Sequence, residues 1–176
     1  MGYLSEKGSR KSLSQGGVLM KVQAKDVMNP KVISVTTGTT LKEAVRIFAD
    51  HKISALPVVD MEEKLMGILS ESDIVDYSSK LHVVPMLDSS GWISPYENPG
   101  EIFDYKQGFE LLEKTVVEKI MSKKVVTVQK ETPGPEVARI MKKKKINHVP
   151  VVDKKGKLCG IIARADMINF LASTGE

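Results

Sequence analysis

Residues 32–75 change their apolar rhythm several times. Val32-Ile33-Ser34-Val35 is β-branched and short, which predicts a strand, and Thr36-Thr37-Gly38 predicts a turn. Leu41, Ala44, Val45 and Phe48 then recur at three- and four-residue steps, predicting a helix over residues 40–51 with one buried stripe. Thr40 and Glu43 form a capping box at its start, in which hydroxyl and carboxylate satisfy orphan amides. Residues 56–59 predict a second strand, 60–63 a turn, and 65–69 a third strand, after which residues 70–75 open a second helix. The order is β-α-β-β-α.

That order returns 93 residues later. With no gap, Met28 falls on Met121, Thr39 on Thr132, Pro57 on Pro150, Gly67 on Gly160 and Asp73 on Asp166. Of the 50 pairs from Asp26/Lys119 to Val75/Ile168, 19 are identical. Such self-similarity predicts two copies of one unit, each burying its apolar face against the other and neither stable alone. In the second copy Thr132-Pro133-Gly134-Pro135 replaces the capping box, and prolines are tolerated in a first helical turn. Its helical stripe is Val137, Ile140 and Met141. The expected fold class is α+β, a mixed α/β arrangement of tandem β-α-β-β-α repeats.

The chain therefore divides into an N-terminal extension (1–21), a first copy (22–75), an insert (76–114), a second copy (115–168) and a C-terminal tail (169–176). The insert begins as loop, rich in Gly, Pro, Ser and Asn. Ile102, Tyr105, Phe109 and Leu112 then predict an amphipathic helix interrupted by Gly108, either a cover for one end of the core or an element that binds a partner or caps a ligand.

Composition narrows the function classes. With 176 residues, 41% apolar and 27% charged, the chain has the make-up of a soluble globular protein. No apolar run is long enough for a bilayer and no apolar signal core precedes Gly16, so the expected location is the cytoplasm, without a membrane partner. Cys159 is single and reads as a small core residue. The sequence holds no His-Glu-x-x-His, no Gly-x-x-x-x-Gly-Lys and no Gly-x-Ser-x-Gly, so the expectation is a non-catalytic protein with no metal and no required cofactor.

Charge is uneven. The second copy carries 13 Lys and Arg against 5 Asp and Glu, the first copy 6 against 8 and the insert 3 against 7. This favours an anionic ligand near the second copy. Nucleic acid is the rival reading. Lys142 to Lys145 spread over about 300° of a helix and cannot form one groove-facing stripe, and the second copy has no aromatic side chain for base stacking.

The paired "LPVVD...KLMGILSESDI" and "VPVVDKKGKLCGIIARADMI" resemble the CBS domain, and two such copies are similar to a CBS pair, or Bateman module, of the stand-alone type with an insert. The resemblance implies two copies packed through their sheets about a pseudo-two-fold axis, leaving two clefts, and further pairing of the chain into a homodimer. It implies an adenosine nucleotide (AMP, ADP or ATP) or S-adenosylmethionine as regulatory ligand, with the signal passed to a separate, unidentified protein. A scaffold that has lost its ligand is the alternative.

Residue by residue, the family's Ser/Thr-x-x-Asp motif falls on Ser70 and Asp73, whose carboxylate is implied to hold ribose hydroxyls; the same pattern is also a helix cap. The second copy keeps Asp166 but has Ala163 for the hydroxyl, and Arg164 either binds phosphate or faces solvent. The resemblance implies Thr132, Asn147 and His148 opposite Asp73, and Thr39, Ser54 and Ala55 opposite Asp166. His148 is then a phosphate contact or a structural histidine, and the Asp73 cleft is expected to be the phosphate-binding one.

Overall fold

Two copies of one sequence that make the same contacts on each other meet about a two-fold axis, and the hydrogen bonds follow that rule. The computed structural model describes residues 22–80 and 110–173. The first half runs α1 (Ala24–Val27), β1 (Val35–Thr36), α2 (Leu41–His51), β2 (Ala55–Val59), β3 (Leu65–Ser70) and α3 (Glu71–Lys80). After a 3-10 turn (Val117–Lys119) the second half runs α4 (Gly134–Lys144), β4 (His148–Val152), β5 (Leu158–Ala163) and α5 (Arg164–Ser173). One sheet has the order β1-β2-β3 and the other pairs β4 with β5. The α+β class and the paired-repeat architecture are as expected.

Local chemistry sets these elements. Thr40 accepts from the Glu43 amide at 3.2 Å while Glu43 accepts from the Thr40 amide at 2.8 Å, completing the capping box of α2. Pro133 takes the cap position of α4 and Pro135 its first turn, where a missing amide proton costs nothing. All five residues of β2 are buried, and Leu41, Leu56 and Leu69 are fully enclosed in the first core. Removing each such leucine side chain from water is worth about 1.5–3 kcal/mol. Val137, Val149, Val151 and Ile162 fill the second core in the same way.

The twice-occurring Pro-Val-Val-Asp ends in a turn device. Asp60 Oδ1 accepts from the amides of Glu62 and Lys64, and Asp153 Oδ1 accepts from those of Lys155 and Lys157, all within 2.8–2.9 Å. Each turn passes through a left-handed residue, Glu63 (φ 64°) or Gly156 (φ 82°). The carbonyls of these two residues accept from the opposite copy, Glu63 from the Leu158 amide and Gly156 from the Leu65 amide, both at 3.0 Å. The hairpin tips thus clasp across the axis.

A second exchange is larger. Ala24 is buried in the second core, not the first, and Val117 and Met121 are buried in the first, not the second. The Ala24 amide donates to the Thr132 carbonyl at 2.8 Å and the Val117 amide to that of Thr39 at 2.8 Å. Asn29 pairs with Ile161 and Ser122 with Ile68 through reciprocal amide–carbonyl bonds of 2.9–3.1 Å. Each contact has its counterpart 93 residues away, so the opening segment of each copy packs on the other. Glycine makes room for it. A Cβ on Gly160 would lie 2.5 Å from Met28 Sδ, and one on Gly67 would lie 2.5 Å from Met121 Sδ.

The structure adjusts several expectations. The strand expected at residues 32–35 forms only at Val35–Thr36, because β1 meets just the last two residues of β2, Val58 and Val59. The equivalent stretch of the second copy makes a single bridge, Val128 with Val151. Helices α3 and α5 run on to Lys80 and Ser173, past the copy ends read at residues 75 and 168. Ile102, Tyr105 and Phe109 of the insert lie outside the described residues; Leu112, on the helical stretch 110–114, packs against the first core. Cys159 is half-buried on β5 instead of enclosed in the core.

Gly160→Val should lower unfolding free energy by roughly 1–3 kcal/mol through overlap with Met28. Adding Met28→Ala should relieve part of that overlap, so the double variant is less damaged than the sum of the singles. Chemical denaturation of the four proteins checks this, and simple additivity would show that the methionine is not what the glycine accommodates.

Candidate functional site

The antiparallel ladders place the start of one strand beside the end of the next, Ala55 opposite Ser70 and His148 opposite Ala163. In each copy a strand start and a helix start therefore share one end of the sheet. Between the copies this end opens into a cavity of about 470 Å³. One side carries Ser70 and Asp73 with Ser54 and Ala55; the other carries Lys145, Asn147 and His148 from the end of α4 and the start of β4. Ser122, Lys124, Val125 and Val126, from the exchanged segment and the stretch after it, complete the wall.

Asp73 has two different oxygens. Oδ2 accepts from the Ser70 amide at 2.7 Å and the Ser70 hydroxyl at 2.6 Å, and the Asp73 amide returns a 3.3 Å bond to that hydroxyl. This is the helix cap. Among the described residues Oδ1 has only a long 3.5 Å contact from the Ser122 hydroxyl, so its lone pairs remain available to donors in the cavity. Asp166 repeats half of the arrangement: its Oδ2 accepts from the Ala163 amide at 2.7 Å, with no hydroxyl beside it. The serine motif thus serves as a cap and also presents a carboxylate oxygen, the two readings its sequence allows.

His148 is half-buried, with Nε2 3.3 Å from the Ser54 hydroxyl. Burial pushes its pKa below the usual histidine value, opposed by the charge of Asp166. The imidazole is therefore mainly neutral at pH 7, a hydrogen-bonding group that a nearby anion can convert to a cation.

Six of the residues named from sequence meet in this one cavity: Ser54, Ala55, Ser70, Asp73, Asn147 and His148. Ser54 and Ala55 were assigned to the opposite cleft, but the Ser54–His148 contact puts the two strand starts against each other across the axis, where both face the same space. Thr39 and Thr132 are not among the residues lining this cavity. Their carbonyls hold the exchanged segments, and their hydroxyls accept from the amides of Thr36 at 3.2 Å and Gln129 at 3.0 Å. Arg164 and Asp166 lie outside this cavity, at the start of α5, where the Arg164 amide donates to the Asn147 carbonyl at 2.8 Å. The Glu71 amide makes the same bond to Ser54 at 3.2 Å.

The cavity also holds Lys124, which the sequence reading did not name, and Lys145, which it weighed only within the Lys142–Lys145 run as a nucleic-acid contact. Both were legible in the duplication, since Lys31/Lys124 and Lys52/Lys145 are identical pairs, but nothing in one sequence tells a cavity lysine from a solvated one. Among the described residues no group of three or more His, Cys, Asp or Glu is placed to hold a metal ion, and no helix is long and apolar enough to cross a membrane.

Comparison with known proteins agrees with this geometry. The CBS domain family matches residues 24–80 and 117–173. Uncharacterized protein MJ1426 of Methanocaldococcus jannaschii is 32% identical over 163 residues, which cover 90% of this chain and 95% of that protein. The CBS domain pair of protein MJ0100, in complex with 5'-methylthioadenosine and S-adenosyl-L-methionine, superposes with a TM-score of 0.65 at 25% identity, covering 87% of this chain and 98% of its own. CBSX2 of Arabidopsis thaliana, in complex with AMP, has a TM-score of 0.66 at 22% identity, covering 88% and 98%. Two family matches, one on each copy, joined by a pseudo-two-fold exchange of segments, establish that the chain belongs to the CBS domain family and carries that domain as a pair.

Proposed function

We propose that the chain is a non-catalytic regulatory module that binds an adenosine nucleotide between its two copies and passes the signal to a separate protein. The observation that carries this is the cavity itself. At about 470 Å³ it falls within the roughly 300–1,000 Å³ range of small-molecule sites. It offers a carboxylate oxygen suited to vicinal hydroxyls beside apolar Ile68, Val125 and Val126 suited to a base, and cationic Lys124 and Lys145 suited to phosphate. The adenosine part of the reading is supported by MJ0100, whose CBS pair holds two adenosine compounds. The lysines favour a phosphorylated ligand over S-adenosylmethionine, which is itself a cation at sulfur.

Binding alone shifts no population; the ligand must favour one arrangement of the copies over another for the partner to sense it. We also infer pairing with a second copy of the chain. Val75 on α3 and Ile168 on α5, related by the 93-residue offset, leave 61% and 60% of their surface exposed, an apolar face suited to burial in a homodimer. Equilibrium binding of AMP, ADP, ATP and S-adenosylmethionine to the full chain tests the ligand class, and failure of all four to bind would leave a scaffold.

Two substitutions locate the ligand. Asp73→Asn keeps an oxygen for the cap but loses the charge-assisted bonds to ribose, so AMP affinity should fall by about 1–3 kcal/mol, with the melting temperature almost unchanged. Lower stability at unaltered affinity would return Asp73 to capping alone.

The sign of the pH effect follows from His148. Its free pKa is held low by burial, so a phosphate that raises it takes up a proton on binding, and affinity rises as pH falls through the raised value. Calorimetric titration should show AMP gaining affinity between pH 8 and pH 6 by a larger factor in the wild type than in His148→Gln, whereas adenosine shows no such difference. Equal pH dependence in both proteins removes His148 from the phosphate site.

A further inference from the structure

The 93-residue symmetry of the backbone does not extend to charge. The cavity that holds Asp73 has four charged side chains on its wall, Lys124, Lys145, Glu71 and Asp73, which balance. The hydrogen bonds that build it have counterparts at the same offset: Glu71 with Ser54 matches Arg164 with Asn147, and Ser122 with Ile68 matches Asn29 with Ile161. Applied to the wall, the offset turns those four residues into Lys31, Lys52, Arg164 and Asp166, three cations against one carboxylate. The whole difference arises at one position, where Glu71 opens α3 and Arg164 opens α5. His148 does not separate the two clefts, because it touches Ser54 while feeling the charge of Asp166.

The lysines carry a second mark. Lys52 and Lys145 both end their helices in the left-handed region, at φ 52° and φ 55°. Glycine is the unstrained choice there, and any side chain is held under strain. Lys145 faces the Asp73 cavity, and the offset gives Lys52 the same place in the other cleft. Among the described residues Lys31, Lys52 and Arg164 form no ion pair, so their charge is not already neutralised by a protein carboxylate.

We propose that the two clefts divide adenosine ligands by charge: the Asp166 cleft, with Lys31, Lys52 and Arg164, takes the polyphosphate nucleotide, and the Asp73 cleft, where Glu71 faces the ligand, takes one with a single phosphate or none. This reverses the sequence-based expectation that the Asp73 cleft is the phosphate site, which rested on His148 and the net charge of the whole second copy. The inference rests on the reading that these clefts bind adenosine compounds. In it the chain compares a highly charged nucleotide with a less charged one instead of measuring one ligand twice.

The test is isothermal calorimetry of the full chain with ATP, AMP and adenosine, without magnesium so that the ligand keeps its full charge. The wild type should bind about one ATP tightly per chain. Arg164→Glu should weaken that site by about tenfold or more while adenosine affinity stays within about twofold, since surface substitution at an exposed helix start leaves the fold intact. Glu71→Arg should raise the ATP stoichiometry to about two, and Lys52→Ala should weaken ATP more than Lys145→Ala does. Tight ATP binding that survives Arg164→Glu and Lys52→Ala, or that is lost in Lys145→Ala instead, overturns the division while leaving the nucleotide reading in place. Failure of ATP, AMP and adenosine alike to bind overturns both.

Discussion

Everything in this fold depends on a methionine lying over a glycine, twice. Met28 covers Gly160 and Met121 covers Gly67, and the backbone on either side of each methionine bonds to the opposite copy. A larger residue than glycine at those strand positions would overlap the methionine side chain and strain the exchanged segment, whose reciprocal bonds join Asn29 to Ile161 and Ser122 to Ile68. The exchange gives each core residues it cannot supply itself, Ala24 to the second and Val117 and Met121 to the first. Two units too small to bury much surface alone become one of adequate size.

The site is a consequence of that packing. The exchanged stretch brings Ser122 to within 3.5 Å of Asp73, and the strand starts converge so that the Ser54 hydroxyl meets His148. No residue of the cavity needs an unusual conformation except Lys145, held left-handed at the end of α4. Because both copies contribute a wall, any ligand that prefers one spacing of the copies is coupled to the axis that joins them, which is the physical requirement for a reporter.

Much of this was legible in the sequence, for definable reasons. The helix at residues 41–51 and its Thr40–Glu43 cap came from local chemistry that tertiary contacts did not override. The Asp60 and Asp153 turns were visible as repeated Asp-x-x-x-Lys. The exchange was not legible, because the duplication shows Met28 and Met121 to be equivalent but not which copy each packs against. For the same reason Thr39 and Thr132, named as ligand contacts by family resemblance, are found with their carbonyls holding the exchanged segments. The strand expected at residues 32–35 is shorter because only Val35 and Thr36 find ladder partners, Val58 and Val59. Lys124 was not named and Lys145 was read only as part of a lysine run, because lysine in a cavity and lysine in water look alike in one dimension.

The central claim is that the exchange makes the two copies a single cooperative unit, and scanning calorimetry of the full chain tests it most directly. The account predicts one endotherm with a van't Hoff enthalpy equal to the calorimetric enthalpy, a ratio of about one. Two resolved transitions, or a van't Hoff enthalpy of about half the calorimetric value, would mean that the copies unfold independently and would contradict it.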